Sequence, residues 1–181
     1  MLHLPIVGVL GSGSDPQAER AAPLGRLLAE EGVHLLTGGG GGVMECVSRA
    51  FATSPGHRLG RVLGILPGSV DDGCYFPREG YPNRWVEIPI RTHLPLSGIT
   101  GSSTLSRNHI NVLTSDALLV LPGGAGTRSE VQLALLYGKP LLGLMDDWRE
   151  VEDLECPIQC TTDLAAVRAF LRRTLRGRRT G

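Results

Sequence analysis

The residues best suited to chemistry lie between Arg107 and Glu130, where an arginine and a carboxylate flank a glycine-rich turn. The turn, PGGAGT at 122–127, follows a continuous apolar run and precedes a segment of helical character. A glycine turn that delivers a strand into a helix leaves free backbone N–H groups and the positive end of the helix dipole facing outward. The arrangement therefore predicts a phosphate site at this turn.

Alternating strand-like and helix-like segments position this turn. The predicted strands cover residues 4–10, 33–36, 61–66, 85–90, 117–121, 141–145 and 156–160. The predicted helices cover residues 16–31, 43–53, 105–114, 127–137 and 162–176, the first with Asp15 as its N-cap. This order predicts an α/β fold, a Rossmann-like doubly wound parallel sheet, in a single domain spanning residues 1–181.

Two segments depart from the alternation, and one helix has a predicted inner face. Residues 69–84 have no periodicity and are expected to form a surface loop. Pro89 favours an edge position for the strand at 85–90, because proline cannot donate to a neighbouring strand. In the helix at 105–114, an inner stripe is predicted from Leu105, His109 or Ile110, and Leu113.

Three glycine-bearing turns follow predicted strands and should therefore lie on one rim of the sheet, where such folds bind ligands. One of them contains five consecutive glycines. Glycines lose much backbone entropy on folding, and a close approach of the ligand to the backbone would justify this cost. The predicted ligand-binding residues are Gly11, Ser12, Gly40, Gly41, Gly42, Gly123, Gly124, Gly126 and Thr127. The turn after residue 122 would hold phosphate, helped by the Thr127 hydroxyl, while Gly11 and Ser12 would line the base or ribose.

Of two common nucleotide motifs, the dinucleotide fingerprint is disfavoured and the Walker motif is excluded. Gly11-x-Gly13 is followed by Pro16 where the dinucleotide fingerprint needs its third glycine, and the second strand does not end in an acidic residue. No G-x-x-x-x-G-K-[ST] sequence occurs, which excludes a Walker-type nucleotide hydrolase.

The composition is that of an ordinary globular chain, 41% hydrophobic and 20% charged, with a formal net charge of zero. We therefore expect neither a nucleic-acid partner nor a membrane partner. No apolar run approaches a membrane span, and the N-terminus does not match a signal peptide. The four cysteines fit no zinc spacing, so we expect a reduced, cytoplasmic protein without a metal ion or cofactor.

The sequence at 122–130, PGGAGTRSE, resembles the PGGxGTxxE signature of the Lonely Guy family of cytokinin-activating phosphoribohydrolases, formerly labelled lysine decarboxylase-like. Residues 38–45 resemble the second family motif, GGxxGxM, and Arg107 stands 23 positions before Glu130, as the motif arginine does. The resemblance implies a dimeric Rossmann-type fold and a nucleotide ligand. Asn108 stands where the characterised enzymes have lysine, which makes the chain similar to the branch of molybdenum-cofactor carriers and nucleotide-binding proteins.

Several of these residues also have structural interpretations. Thr127 and Glu130 could form a capping box at the helix start, and Arg107 could be a solvated helix residue. Asp116 precedes the central strand, so we expect it at the opposite edge of the sheet, in a structural role. The only lysine, Lys139, should lie away from the glycine turns, which argues against a pyridoxal-dependent decarboxylase.

The functional expectation is a nucleoside 5′-monophosphate (AMP-like) site that hydrolyses the N-glycosidic bond. Glu130, kept ionised by the helix dipole, would stabilise an oxocarbenium-like state and activate water, and Arg107 would hold Glu130 and the ligand in register. The alternative is a carrier that binds a nucleotide or the molybdenum cofactor without chemistry. A homodimer or larger homo-oligomer is expected, through an apolar face that involves Leu133, Leu136 or Tyr137.

Overall fold

A computed structural model describes residues 4–56 and 58–176. Its strands are β1 (Ile6–Leu10), β2 (His34–Thr37), β3 (Val62–Leu66), β4 (Gly68–Asp71), β5 (Cys74–Pro77), β6 (Ile88–Arg91), β7 (Ala117–Val120), β8 (Leu141–Leu144) and β9 (Cys160–Thr161). Its helices are α1 (Ala18–Glu30), α2 (Val43–Ala52), α3 (Asn108–Thr114), α4 (Ala125–Leu136) and α5 (Leu164–Leu175). Short 3₁₀ turns cover Gly98–Thr100 and Trp148–Glu150. None of the helices within the described ranges is long and apolar enough to cross a membrane.

Seven strands form one parallel sheet in the order β6-β3-β2-β1-β7-β8-β9. The chain winds outward in one direction from β1 through β2 and β3, and in the other direction from β7 through β8. The winding therefore reverses between β1 and β7, which is where this class of sheet leaves a crevice for ligand. The predicted Rossmann-like α/β fold is confirmed, as is the edge position of the strand that contains Pro89.

The two faces of the sheet carry separate hydrophobic clusters. On one face, side chains such as Leu119 pack with Leu24 and Phe51 of α1 and α2 and with residues of α5. On the other face, Leu118 and Val120 pack with residues of α3 and α4. Successive residues of β7 thus point to opposite faces and are all buried, which explains why the strand reads as an unbroken apolar run.

The prediction of a surface loop at residues 69–84 is wrong for the first half of this segment, which forms the antiparallel β4–β5 hairpin. Asp72 and Gly73 sit at the tip with positive φ angles of 46° and 74°. An Asp-Gly pair that adopts positive φ at both positions is a signature of a tight hairpin turn, and this signal was present in the sequence.

The start of α1 also differs from the prediction. The helix begins at Ala18, and Gln17 occupies the N-cap position in a left-handed conformation. Asp15 instead accepts a hydrogen bond from the Gln17 N–H at 3.0 Å, so it forms a turn just before the helix.

The predicted inner stripe of α3 is wrong. Leu105 lies before the helix, and Leu105 and Leu113 are 58% and 50% exposed. The buried residues are instead Asn108, Asn111 and Val112. The helix turns a largely polar face inward because it borders the ligand crevice as well as the core.

The predicted apolar face of α4 needs one correction. Leu133 is 3% exposed and belongs to the core, whereas Leu136 is 72% exposed and Tyr137, just after the helix, is 37% exposed. At the opposite edge of the sheet, Asp116 accepts a hydrogen bond from the Ile6 N–H at 2.9 Å, a structural role as expected.

Candidate functional site

A cavity of about 220 Å³ opens at the switch point, beyond the carboxyl ends of β1 and β7. It brings together predicted residues from three parts of the chain. Gly11 comes from the turn after β1, Arg107 from the start of α3, and Gly126, Thr127 and Glu130 from α4. The convergence predicted for these residues therefore appears in the structure.

The first turn of α4 supplies backbone donors to this cavity. Gly124 is the N-cap, and no side chain of the described residues caps the helix. The first N–H groups of a helix have no intrahelical acceptors, so those of this turn are available to an anion. Gly126 and Thr127 line the cavity, whereas Gly123 pairs through its backbone with Glu150 and Glu152. Gly124 faces the Glu152 side chain and does not line the cavity.

Arg107 is the buried cation of the site. It is 4% exposed, and its guanidinium lies directly against Gly38, where any Cβ would collide with it. Within the described ranges, Nε and Nη1 of Arg107 are buried without a hydrogen-bond partner. Leaving buried N–H groups of a charged side chain unsatisfied is costly. The arginine therefore has unused donors in the wall of the cavity, which is what an anionic ligand needs.

Glu130 lies opposite this guanidinium. Its side chain is 12% exposed, and its Oε1 accepts a hydrogen bond from Nδ2 of Asn111 at 2.8 Å. Nη1 of Arg107 is 3.8 Å from the same oxygen, an ion-pair distance that is too long for a hydrogen bond. The capping box with Thr127 does not form, because α4 begins two residues before Thr127.

Burial raises the pKa of Glu130, and this outweighs the opposing effects of Arg107 and Asn111. The sequence predicts that the helix dipole helps to keep Glu130 ionised, whereas its burial in the structure opposes ionisation. Glu130 is the sixth residue of α4, and the dipole effect falls off within the first turn. A raised pKa makes a carboxyl group a better proton acceptor once it is ionised, a property that catalytic carboxylates use.

Two asparagines of α3 support the site, although neither was predicted to be a site residue. Besides Asn111, Asn108 donates through Nδ2 to Oγ of Ser129 at 2.9 Å, and Ser129 donates to the Gly126 carbonyl at 2.8 Å. Asn108 therefore ties α3 to the first turn of α4. The available sequence signal was their spacing of three residues, which places both on one face of a helix.

The five-glycine run contributes to the cavity through Gly38 rather than through the glycines that were predicted. Gly40, Gly41 and Gly42 do not line it. Gly42 has a φ of 59° and faces the Ser12 carbonyl so closely that a Cβ would collide with it. These three glycines thus allow neighbouring segments of the chain to pack together.

Ser12 also has a local role. Its Oγ accepts hydrogen bonds from the N–H groups of Asp15 at 3.0 Å and Ser14 at 3.3 Å. Ser12 therefore stabilises its own turn and does not line the cavity, unlike its neighbours Gly11 and Gly13.

A further wall comes from the segment between β3 and α3, which no sequence pattern linked to the site. Arg78, Tyr81, Ser97 and Gly98 line the cavity from this side. Within the described ranges, no cluster of three or more histidine, cysteine, aspartate or glutamate side chains could hold a metal ion.

The sheet order, the uncapped helix start and the buried arginine define a Rossmann-like protein with a crevice suited to an anion. A family model, the SLOG cluster4 family, matches residues 4–167, and the chain belongs to this family. The resemblance to the Lonely Guy group of proteins is thereby confirmed.

Two relatives are similar in sequence. An uncharacterised protein of Archaeoglobus fulgidus is 37% identical over 145 residues, which span 79% of this chain and 82% of the relative. The probable cytokinin riboside 5′-monophosphate phosphoribohydrolase LOGL5 of Oryza sativa subsp. japonica is 34% identical over 112 residues. That match covers 61% of this chain and only 38% of the rice protein.

Solved structures are also similar to this chain over nearly its whole length. The molybdenum cofactor binding protein of Rippkaea orientalis is 32% identical with a TM-score of 0.61. The similarity covers 96% of this chain and 86% of that protein. The relatives thus include one protein named as a hydrolase and one named as a cofactor-binding protein.

The raised pKa of Glu130 predicts a pH-dependent effect of Glu130→Gln on stability. Folding favours the protonated carboxyl group, so its contribution to stability is present below the ordinary carboxyl pKa and is lost as the pH rises through the raised value. Glutamine keeps an acceptor for Asn111 and does not titrate. The free energy of unfolding of the variant relative to wild type should therefore increase as the pH rises above the ordinary carboxyl pKa, about 4.3.

Denaturant unfolding across this pH range measures the effect, with Glu45→Gln on the exposed face of α2 as a control. The control should show no such trend. A Glu130→Gln variant that becomes relatively less stable as the pH rises would contradict the prediction.

Proposed function

We propose that the protein binds a nucleoside 5′-monophosphate and hydrolyses its N-glycosidic bond, releasing the base and ribose 5-phosphate. The observation that carries this proposal is the buried Arg107, which has unpartnered N–H groups, among the described residues, in a cavity that also receives the start of α4. Backbone donors at a helix N-terminus and a guanidinium together suit a phosphate group. Gly126 and Thr127 would contact the phosphate through their backbone N–H groups.

Glu130 is the proposed catalytic carboxyl group. N-glycosidic cleavage, like O-glycoside hydrolysis, passes through an oxocarbenium-like state, which an ionised carboxylate beside C1′ stabilises. The same carboxylate can accept a proton from the attacking water. Because burial raises the pKa of Glu130, the rate should increase with pH as this group ionises. Arg107 would orient Glu130 and the ligand by contacting both.

The PGGxGTxxE motif and the similarity to the rice relative support the hydrolase. That relative is named a phosphoribohydrolase, and its matched region includes only part of its length. Burying Glu130 beside an incompletely paired arginine destabilises the fold. A catalytic role for Glu130 would explain why the protein keeps this arrangement.

The second candidate is a carrier that binds the molybdenum cofactor or a nucleotide and releases it unchanged. Asn108 favours the carrier, because the characterised enzymes have lysine at this position. Asn108 brings no charge to the cavity and instead holds α4 through Ser129. The similarity to the Rippkaea orientalis protein supports the same candidate.

Hydrolysis of a panel of nucleoside monophosphates, measured as release of ribose 5-phosphate, tests the proposal. At least one monophosphate should be turned over. Glu130→Gln should reduce that rate by about 100-fold or more, the scale of losing a positioned acid–base or charge-stabilising group. Ground-state affinity should change little, because the carboxylate acts mainly on the transition state.

Glu45→Gln serves as the matched control and should leave the rate unchanged, since Glu45 is exposed and does not line the cavity. Binding of a monophosphate without turnover by the wild type would favour the carrier. Equal loss of affinity and rate in Glu130→Gln would remove Glu130 from the chemical step.

We also propose that the protein is a cytoplasmic homodimer. The cysteines within the described ranges are free, which suits a reducing compartment. Exposed apolar side chains occur at adjoining parts of α3 and α4, which are joined by a 2.6 Å hydrogen bond between Nδ1 of His109 and the Tyr137 hydroxyl. This apolar surface comprises Leu105, Leu113, Leu136 and Tyr137. Exposed apolar side chains on neighbouring elements suit a subunit interface.

Leu136→Asp should disrupt this interface, because it would bury an unpaired charge at the most exposed leucine of the surface. Light scattering at micromolar concentration should change from a dimer for the wild type to a monomer for the variant. Leu59→Asp, at an exposed leucine elsewhere, is the control and should remain a dimer. A wild-type monomer would overturn the proposed interface.

A further inference from the structure

The cavity wall formed by the segment between β3 and α3 contains a cation that the proposed mechanism does not use. Arg78 follows the β4–β5 hairpin and lines the cavity together with Tyr81, Ser97 and Gly98. These residues come from a different part of the chain than α4 and the glycine run. Any ligand bound at the start of α4 would therefore also meet this wall.

Arg78 has no acidic partner within the described ranges. Ion pairs there involve other arginines, whereas Nη1 of Arg78 donates to Oγ of Ser97, a neutral hydroxyl. A guanidinium has five N–H donors in a planar fork. The bond to Ser97 therefore holds the side chain in place while its charge and most of its donors remain available.

The bond to Ser97 also locates Arg78 relative to the phosphate site. Gly98, the next residue, lies against the first turn of α4, where its Cα would be 3.5 Å from a Cβ placed on Gly126. Ser97 and the guanidinium attached to it are thus held beside the helix start that supplies the backbone donors. Arg78 approaches this position from the loop side, and Arg107 approaches the cavity from α3.

The charges that line the cavity favour a ligand with more than one negative charge. They are Arg78, Arg107 and Glu130. Two cations and one carboxyl group thus line the cavity, which leaves an excess of positive charge. A phosphomonoester, which carries between one and two negative charges at neutral pH, balances this excess better than a neutral nucleoside does.

We propose that Arg78 is a specificity-determining residue that contacts the phosphate of the ligand and selects phosphomonoesters over the corresponding nucleosides. Ser97 is its positioning residue, which orients the guanidinium towards the start of α4. This inference rests on the proposed nucleotide site and adds the residue that discriminates the phosphorylated ligand.

Calorimetric titration with AMP and with adenosine tests the inference, using Arg78→Gln and the matched control Arg84→Gln. Arg84 is an exposed arginine of the same segment that stacks on Trp85 at 4.8 Å and does not line the cavity. Glutamine at position 78 keeps a donor for Ser97 but removes the charge. AMP affinity should fall by about 10-fold or more in Arg78→Gln, the scale of losing a hydrogen bond to a charged group, and by less than about 2-fold in Arg84→Gln.

Adenosine affinity should be the same in wild type and both variants, because the nucleoside lacks the phosphate. Ser97→Ala should weaken AMP binding in the same direction but less than Arg78→Gln does, since the charge remains while its orientation is lost. Melting temperatures close to wild type confirm that the variants are folded, and Arg78→Lys, which keeps the charge without the fork, should fall between wild type and Arg78→Gln.

Three results would overturn the inference while leaving the proposed function intact. The first is AMP binding that Arg78→Gln leaves unchanged. The second is a loss of affinity that is equal for AMP and adenosine, and the third is a loss that is equal in the two glutamine variants. A wild-type protein that binds no nucleoside monophosphate would instead overturn the proposed function, and the role of Arg78 with it.

Discussion

The buried guanidinium of Arg107 is the constraint on which the rest of the site depends. A charged side chain that is almost fully buried must be compensated. Among the described residues, the carboxylate within ion-pair distance is Glu130, which is 3.8 Å away and has a raised pKa. The protein accommodates the side chain through the absence of a Cβ at Gly38 rather than by fully pairing its charge. Among the described residues, neither Nε nor Nη1 of Arg107 has a hydrogen-bond partner, and these donors make the crevice suitable for an anion.

Neighbouring elements hold this cation in place. Asn108 fastens the start of α3 to the start of α4 through Ser129, and Asn111, one turn later, fixes the carboxyl group of Glu130. The two helices also share a hydrophobic cluster with β7 on one face of the sheet. The geometry between Arg107 and Glu130 is therefore set by packing and by neutral amides, which can hold a carboxyl group in either protonation state.

Much of this architecture could be predicted from the sequence because its causes are local. The buried strands are short apolar runs, the glycine turns follow them, and parallel topology places the turns on one rim. That topology also brings Arg107 and Glu130 together, although they are 23 positions apart in the sequence. What failed depends on non-local contacts. The spacing of Asn108 and Asn111 places them on one face of α3, but nothing local indicates that this face is the buried one. Nor does anything local indicate that Gly40 to Gly42 allow neighbouring segments to pack together. The hairpin was missed although its Asp-Gly tip was visible, because the segment lacks an alternating pattern.

The hydrolase and the carrier make different demands on the same site. Both require a cation that an anionic ligand can reach, and Arg107 meets this requirement in either case. Only hydrolysis requires a carboxyl group that is ionised when the ligand is bound, and burial opposes that state in Glu130. A phosphate close to Glu130 would oppose its ionisation further. Hydrolysis therefore requires that the phosphate binds at the start of α4, away from Glu130, while C1′ of the ribose lies beside Glu130.

The distance between these two positions can be judged from the helix. It begins at Ala125, five positions before Glu130. Five positions correspond to more than one helical turn, about 7.5 Å at a rise of about 1.5 Å per residue. That spacing suits a ribose between the two groups, and it is the physical basis on which we prefer the hydrolase over the carrier.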